Sequence, residues 1–326
     1  MTTIARLRTI ALAAALAACS SGEADQKKIA AIAEKPAVAE APRAKGDGQA
    51  KLVILGSGTP IPEPDRAGPA VAVVAGGRAY LVDFGAGVVR RAEAAFRGGI
   101  DALDVRRMTI AFATHLHSDH TVGYADLILT PAVVGRHEKL RAYGPIGLEG
   151  MTEHVLAAYA ADLEIRRASG DDLNGYEVDV TEIPVPAGLV EVYRDENVTV
   201  RAFPASHGAD PGALGYRFDA GGRSIVVSGD TAPSRMIVDA CAGCDVLLHE
   251  VYCARGLETG PSSLQAYHRG HHTSAVQLGE LAAEAAPKLL AAYHVLSFGC
   301  AAAEIEAEIR SRWAGPTVLA ADLDVL

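Results

Sequence analysis

Beyond its first eighteen residues the sequence has no hydrophobic run of the roughly 20 residues that a membrane-spanning helix requires, and it has no internal repeat. Positive charge is scarce. Thirty basic residues face forty acidic ones, a formal net of −10. A surface of that balance repels polyanions at long range and argues against a large nucleic acid as partner. The glycine-rich stretch GSGTP (56–60) lacks the Lys-Ser/Thr ending of a phosphate-binding loop, so it reads as a tight turn instead. Residues 20–48 contain no aromatic side chain and are dominated by Ala, Lys, Glu and Pro, a composition unable to bury enough surface to order itself. They read as a tether.

The N-terminus supplies a compartment. Arg6 and Arg8 precede the apolar TIALAAALAA (9–18), too short to span a bilayer, which runs into LAAC ending at Cys19. The pattern resembles a bacterial lipoprotein signal. It implies a signal peptide over 1–18, a tether over 19–49 and a folded domain over 50–326. The chain would be lipid-anchored in the cell envelope and face the periplasm, with Ser20 pointing to the outer membrane. The alternative is an ordinary secretory signal with Cys19 merely nearby. Loss of Arg6 and Arg8 would move the formal net from −10 to −12, since two positive charges leave. Four cysteines remain. In an oxidising envelope they allow three pairings. Cys241–Cys244 with Cys253–Cys300 is the expected one, and buried reduced thiols are the alternative.

What is present is one recurring pattern. Apolar strands over 107–115, 198–208, 223–231, 245–250 and 288–295 end at His115, His207, Asp230, His249 with Glu250, and His294. One such strand is unremarkable, but five imply a common rim where loops converge at a sheet edge. Further strands over 50–58 and within 70–87, and helices near 88–97, 149–162, 233–241, 273–286 and 302–312, suggest an α/β fold. Two packed sheets would carry helices on both outer faces. The segment 131–197 is expected to form part of a substrate wall. His137, His154 and His268 have no ligand partner in sequence and read as surface groups.

ATHLHSDHTVGY (113–124) puts three histidines and an aspartate in six positions. His115 and His117 alternate along a chain leaving a strand, so both can approach one ion. Asp119 and His120 follow a turn and can reach a second. Neutral imidazole and carboxylate suit zinc. His207, Asp230 and His294 supply the remaining ligands, and a carboxylate such as Asp230 can bridge two cations.

The motif THLHSDH resembles the metallo-β-lactamase superfamily. LGSGTP, LVDFG, SGDT, LLHE, HHTS and the histidine of AYH resemble its ribonuclease Z-like, phosphodiesterase and arylsulfatase branch. The resemblance implies a single-domain, four-layer αββα sandwich with two zinc ions, Mn2+ or Fe2+ being alternatives. His115, His117 and His207 would hold the first ion, and Asp119, His120 and His294 the second, with Asp230 bridging. Enzymes of this fold that open β-lactams carry cysteine or serine where Asp230 stands, which argues against that chemistry. The family's H-S-T signature maps His271 onto a catalytic histidine that is not a ligand, with His272 in place of the serine. Glu250 is then a candidate to orient His271. Asp83 and Arg66 are candidates to brace the site.

Two divalent ions would share a water and lower its pKa, giving a metal-bridging hydroxide beside Asp119, while His271 protonates the leaving oxygen. Members that process transfer RNA carry a long arm between the positions of His207 and Asp230. Only 22 residues separate those positions here. The expected substrate is therefore a small-molecule ester, phosphodiesters first, then aryl sulfates, lactones or thioesters, with no large nucleic acid and the membrane touched only through the anchor. A homodimer is left open. A non-catalytic zinc-binding lipoprotein is the reading from a different class.

Overall fold

In the computed structural model, residues 48–326 are described. The expected signal peptide and all but the end of the tether lie outside them. Two mixed sheets stack face to face. The first runs in the order β1 (Lys51–Gly56), β2 (Ala70–Ala75), β3 (Arg78–Val82), β4 (Ile110–Phe112), β5 (Leu140–Gly144), β6 (Val178–Glu182). The second runs β13 (Thr317–Leu319), β12 (Leu289–Leu296), β11 (Val246–Tyr252), β10 (Arg223–Val227), β9 (Leu214–Ala220), β8 (Val198–Pro204), β7 (Val190–Arg194). Strand residues are buried on both faces in β4, β10 and β11, as strands covered on two sides must be.

Three apolar clusters account for four layers. Between the sheets, Ile54, Phe112, Tyr216, Phe218, Leu248 and Tyr293 interdigitate, and Phe112 meets Phe218 edge-on with centroids 5.6 Å apart. The outer face of the first sheet packs on α1 (Val88–Arg97), on α3 (Tyr124–Val133), which follows the short α2 (Ser118–Thr121), and on α4 (Leu148–Ala158). The outer face of the second packs on α6 (Arg235–Cys241), α9 (Ala275–Ala285) and α10 (Ala302–Arg310). This is the expected αββα sandwich in a single domain.

Several elements depart from the sequence reading. The helix expected over 149–162 is two helices, α4 and α5 (Ala160–Ser169), meeting at Tyr159. Within 131–197 lie three strands, β5, β6 and β7, that pattern alone did not suggest. β6 alternates half-buried with exposed residues and carries no apolar run. Two short helices, α7 (Ala254–Glu258) and α8 (Ser262–His271), precede α9. The cysteines pair as Cys241–Cys244 and Cys253–Cys300. No described helix is long and apolar enough to cross a membrane.

At the end of the sandwich away from the histidines, Asp195 fastens one sheet to the other. It accepts from Tyr80 of β3 and Tyr193 of β7, each at 2.8 Å, and from the backbone of Asn197 and Val198. Arg78 adds an ion pair at 3.1 Å. Burial alone would raise the Asp195 carboxyl, but these donors prevail and lower it below the ordinary aspartate range. A depressed folded-state pKa contributes stability above the unfolded value and loses it as pH falls through the folded one. Asp195→Ala strands two tyrosine hydroxyls and is expected to cost about 2–3 kcal/mol at neutral pH. Chemical denaturation at pH 7 and again in acid, where the difference from wild type should shrink, checks this.

Candidate metal centre

Each metal-binding side chain predicted from sequence reaches one rim, by a different local device. β4 ends at Phe112, and Ala113 is held where Tyr216 Oη donates to its carbonyl at 2.7 Å. The chain then leaves extended through His117 before α2 begins, so His115 points into the protein while Asp119 and His120 ride the helical turn. His294 is the extra residue of a β-bulge. Glu250 pairs with Tyr293 and Val251 with Val295, and His294 between them adopts φ 46°. A bulge re-aims one side chain without ending the strand, and here it sends an imidazole to the rim. Asp230 follows β10 after Gly229, whose φ of 61° and tight approach to Thr114 exclude a larger residue.

Hydrogen bonds set which ring nitrogen faces inward. Asp83 accepts from the Thr114 backbone at 2.7 Å, from Thr114 Oγ1 at 2.9 Å and from His120 Nδ1 at 2.8 Å. With its proton given to Asp83, Thr114 Oγ1 accepts from His115 Nδ1 at 3.0 Å. Nε2 of both histidines therefore carries the lone pair toward the centre. His207 Nδ1 donates to the His271 carbonyl at 2.8 Å, leaving Nε2 to face His117 Nδ1 at 3.1 Å. His294 Nε2 lies 3.2 Å from Asp119 Oδ2.

The arrangement fits cations. His115 Nε2, His120 Nε2, His294 Nδ1 and Asp230 Oδ1 are buried with no hydrogen-bond partner, a costly condition unless something positive and electron-accepting meets them. Donor atoms of His115, His117 and His207 lie within 4.8 Å of one another, as do those of Asp119, His120 and His294. Asp230 Oδ1 sits 3.4 Å from His120 Nε2, and Asp230 joins separate groupings with His115 and with His207. Burial alone would raise the Asp230 carboxyl, but the rings of His294 and His120 hold it well below the aspartate range. His115, packed against like rings, is pushed well below the ordinary histidine value, chiefly by burial. Against the effect of burial, Asp230 and Asp83 in turn raise His120 well above the ordinary histidine value, so a cation that displaces this proton leaves an anionic carboxylate between neutral imidazoles, the donor state that cations require.

Asp83 orients His120 as expected. Asp83→Ala is expected to weaken metal affinity 10–100-fold, the usual effect of losing such a partner, read by competition with a chelating dye. Arg66 does not reach the centre. It bonds Ser57 Oγ at 2.9 Å in a knot that Asp322 organises through Ser57 and Ala67.

One histidine assignment is corrected, and another gains a neighbour. His271, expected as the catalytic side chain, is the last residue of α8. Its Nδ1 is spent on the Tyr267 carbonyl at 2.7 Å and its ring stacks on Tyr267 at 4.0 Å. Its ring lies 5.3 Å from that of His207, centroid to centroid, and its main-chain carbonyl orients His207. The helix stops there, and His272, at φ −136°, turns inward. Its buried Nδ1 lies 3.4 Å from Glu250 Oε2 and 3.8 Å from Asp230 Oδ2. Glu250 thus serves His272, not His271, and is itself steadied by the Thr273 backbone at 2.8 Å. Ser274 caps α9 in a capping box with Gln277, which fixes the frame of the whole turn. His268, expected at the surface, is buried and stacks on His272 with centroids 5.4 Å apart. His137 and His154 are exposed, as expected.

A rim of His/Asp clusters able to hold metal at the edge of an αββα sandwich defines a class of metal-dependent hydrolase, and comparison with known proteins agrees. Residues 78–295 match the β-lactamase superfamily domain. Ribonuclease Z of Mycolicibacterium gilvum (strain PYR-GCK) is 33% identical over 253 residues, 75% of this chain and 83% of that protein. Among solved structures, the metallo-β-lactamase fold protein YhfI of Bacillus subtilis superposes with a TM-score of 0.62 at 16% identity, covering 85% of this chain and 98% of that one. Human tRNase Z, short form, gives 0.61 at 22% over 85% and 98%. The chain belongs to the metallo-β-lactamase superfamily, with ribonuclease Z among its relatives.

That relationship overturns the exclusion of large nucleic acids. The error was physical: a formal net charge averages over the whole surface, whereas salt screens charges beyond a Debye length of about 8–10 Å. What a polyanion meets is the local field at the site. Between His207 and Asp230 the chain forms only the β9–β10 hairpin, but this length does not decide the substrate.

Proposed function

We propose that the protein is a phosphodiesterase that works with two divalent cations, zinc first, held by His115, His117, His207, Asp119, His120, His294 and Asp230. Bound there, such ions would acidify a water and neutralise charge on the non-bridging ester oxygens. The observation that carries the reading is the His272–Glu250 pair beside that donor set. A site built only to store metal has no use for it.

With Nδ1 turned to Glu250, Nε2 of His272 is the nitrogen left to meet a substrate. Burial disfavours the charged ring, but Glu250, then Asp230, outweigh it and raise its pKa above the ordinary histidine value. The charged ring is favoured by that pair of carboxylates and can deliver its proton to a departing alkoxide. Glu250 stabilises the charged form, and the main-chain N–H of Thr273 keeps that carboxylate in place. Asp119, half-buried at the mouth, is lowered by His294 and His120 against the effect of burial, so it is anionic and available as ligand or proton acceptor.

The test is turnover by metal-replete protein on phosphodiesters, including a 3′-extended transfer RNA, alongside phosphomonoesters, aryl sulfates, lactones and thioesters. Diesters should lead. Inertness toward every diester with turnover of a lactone or thioester would sink the proposal. We further propose that the enzyme works in the cell envelope. LAAC and the two disulfides support this, and fractionation with labelled palmitate tests it.

A further inference from the structure

The turn that carries His272 also carries an aromatic side chain with no part in the chemistry above. Tyr267 is 47% exposed, unusual for a tyrosine beside a buried polar site. It is not loose. Its ring lies parallel to His271, 18° between planes and centroids 4.0 Å apart. His271 is held in turn by its bond to the Tyr267 carbonyl and by Gly208, where a Cβ would come within 1.8 Å of Nε2. Gly208, at φ 58°, thus lets the loop after His207 close against the His271 ring. The Tyr267 ring centroid is 6.4 Å from that of His272. A backed, half-exposed aromatic ring therefore stands beside the His272 ring, the proposed proton donor.

We infer that Tyr267, backed by His271, is a platform on which an aromatic group of the leaving alcohol stacks. The preferred substrates would be diesters whose leaving side carries an aryl ring or a nucleobase. This rests on the phosphodiesterase reading and on His272 facing the leaving oxygen. Stacking on a π-face is tolerant of ring identity, so aryl and nucleoside sources share the chemistry, and the assay separates them.

Two substrate pairs serve: phenyl and hexafluoroisopropyl methyl phosphates, whose leaving alcohols are of similar acidity, and the 5′-linked uridine and ribose methyl phosphates. In Tyr267→Leu the ratio of kcat/KM for the aromatic over the non-aromatic member should fall about tenfold, within the range known for one stacked ring. Tyr267→Trp should keep or raise it. A fall in the phenyl pair alone assigns an aryl group, and a fall in the uridine pair a nucleobase. Ratios unchanged in Tyr267→Leu for both pairs, with diester turnover intact, overturn the inference and leave the phosphodiesterase reading standing. Calorimetry of phenylphosphonate against methylphosphonate on the metal-loaded protein needs no turnover. If no diester is cleaved, a preference for phenylphosphonate lost in Tyr267→Leu and kept in Tyr267→Trp sustains the platform alone, and no preference overturns it.

Discussion

Asp230→Ala is expected to lower phosphodiester turnover by roughly a thousandfold or more, the several kcal/mol that charge neutralisation by paired cations supplies, and to reduce bound metal below two ions per chain. The reason is position. Asp230 is buried, with Oδ1 3.4 Å from His120 Nε2 and 3.7 Å from His294 Nδ1, while Oδ2 turns toward His272. Among the described residues it is the one carboxylate grouped both with His115 and His120 and with His207 and His272, so its removal weakens both halves of the donor set at once. Metal analysis after exhaustive dialysis and turnover on a diester give the two readouts, and circular dichroism confirms the fold. Two ions retained at wild-type rate would remove Asp230 from the centre.

Much of this rim was legible because the signal is local. HLHSDH is written in six consecutive residues, and strands that end in lone-pair donors can be read singly along the chain. Three features could not be read that way. Whether His271 or His272 enters the site depends on where α8 stops, and adjacent histidines give no local sign of that boundary. The bulge that aims His294 exists only in the register of β11 against β12. His268 looked like a surface group because its partners, His272 and Phe298, come from its own next turn and from the loop after β12. Strands β5 to β7 were missed because they are five residues each with mixed burial, and pairing with neighbours, not apolar content, defines them. Among the supporting residues, Asp83 was suspected, but its triple role toward Thr114 and His120 appears only when the chain is folded.

His272→Ala is expected to cost 10²–10⁴ in kcat on a diester with a poorly departing alcohol, the span that positioned proton donors usually contribute. The loss should be much smaller with p-nitrophenolate, which leaves without a proton. A purely structural role would reduce both substrates alike, so the difference between them is the decisive quantity. Bound metal should stay at the wild-type level, because the seven proposed ligands do not include this ring. The pH profile supplies the sign. An acid that must be protonated loses activity as pH rises through its pKa, and Glu250 is the chief group raising that pKa. Glu250→Gln should therefore move the alkaline limb to lower pH without abolishing turnover at acidic pH. His271→Ala should leave that limb where it is, because Glu250 faces the His272 ring and the carbonyl that orients His207 is retained. If His271→Ala instead reproduces the leaving-group dependence expected of His272→Ala, the proton comes from the neighbouring ring and the assignment made from the turn after α8 is wrong.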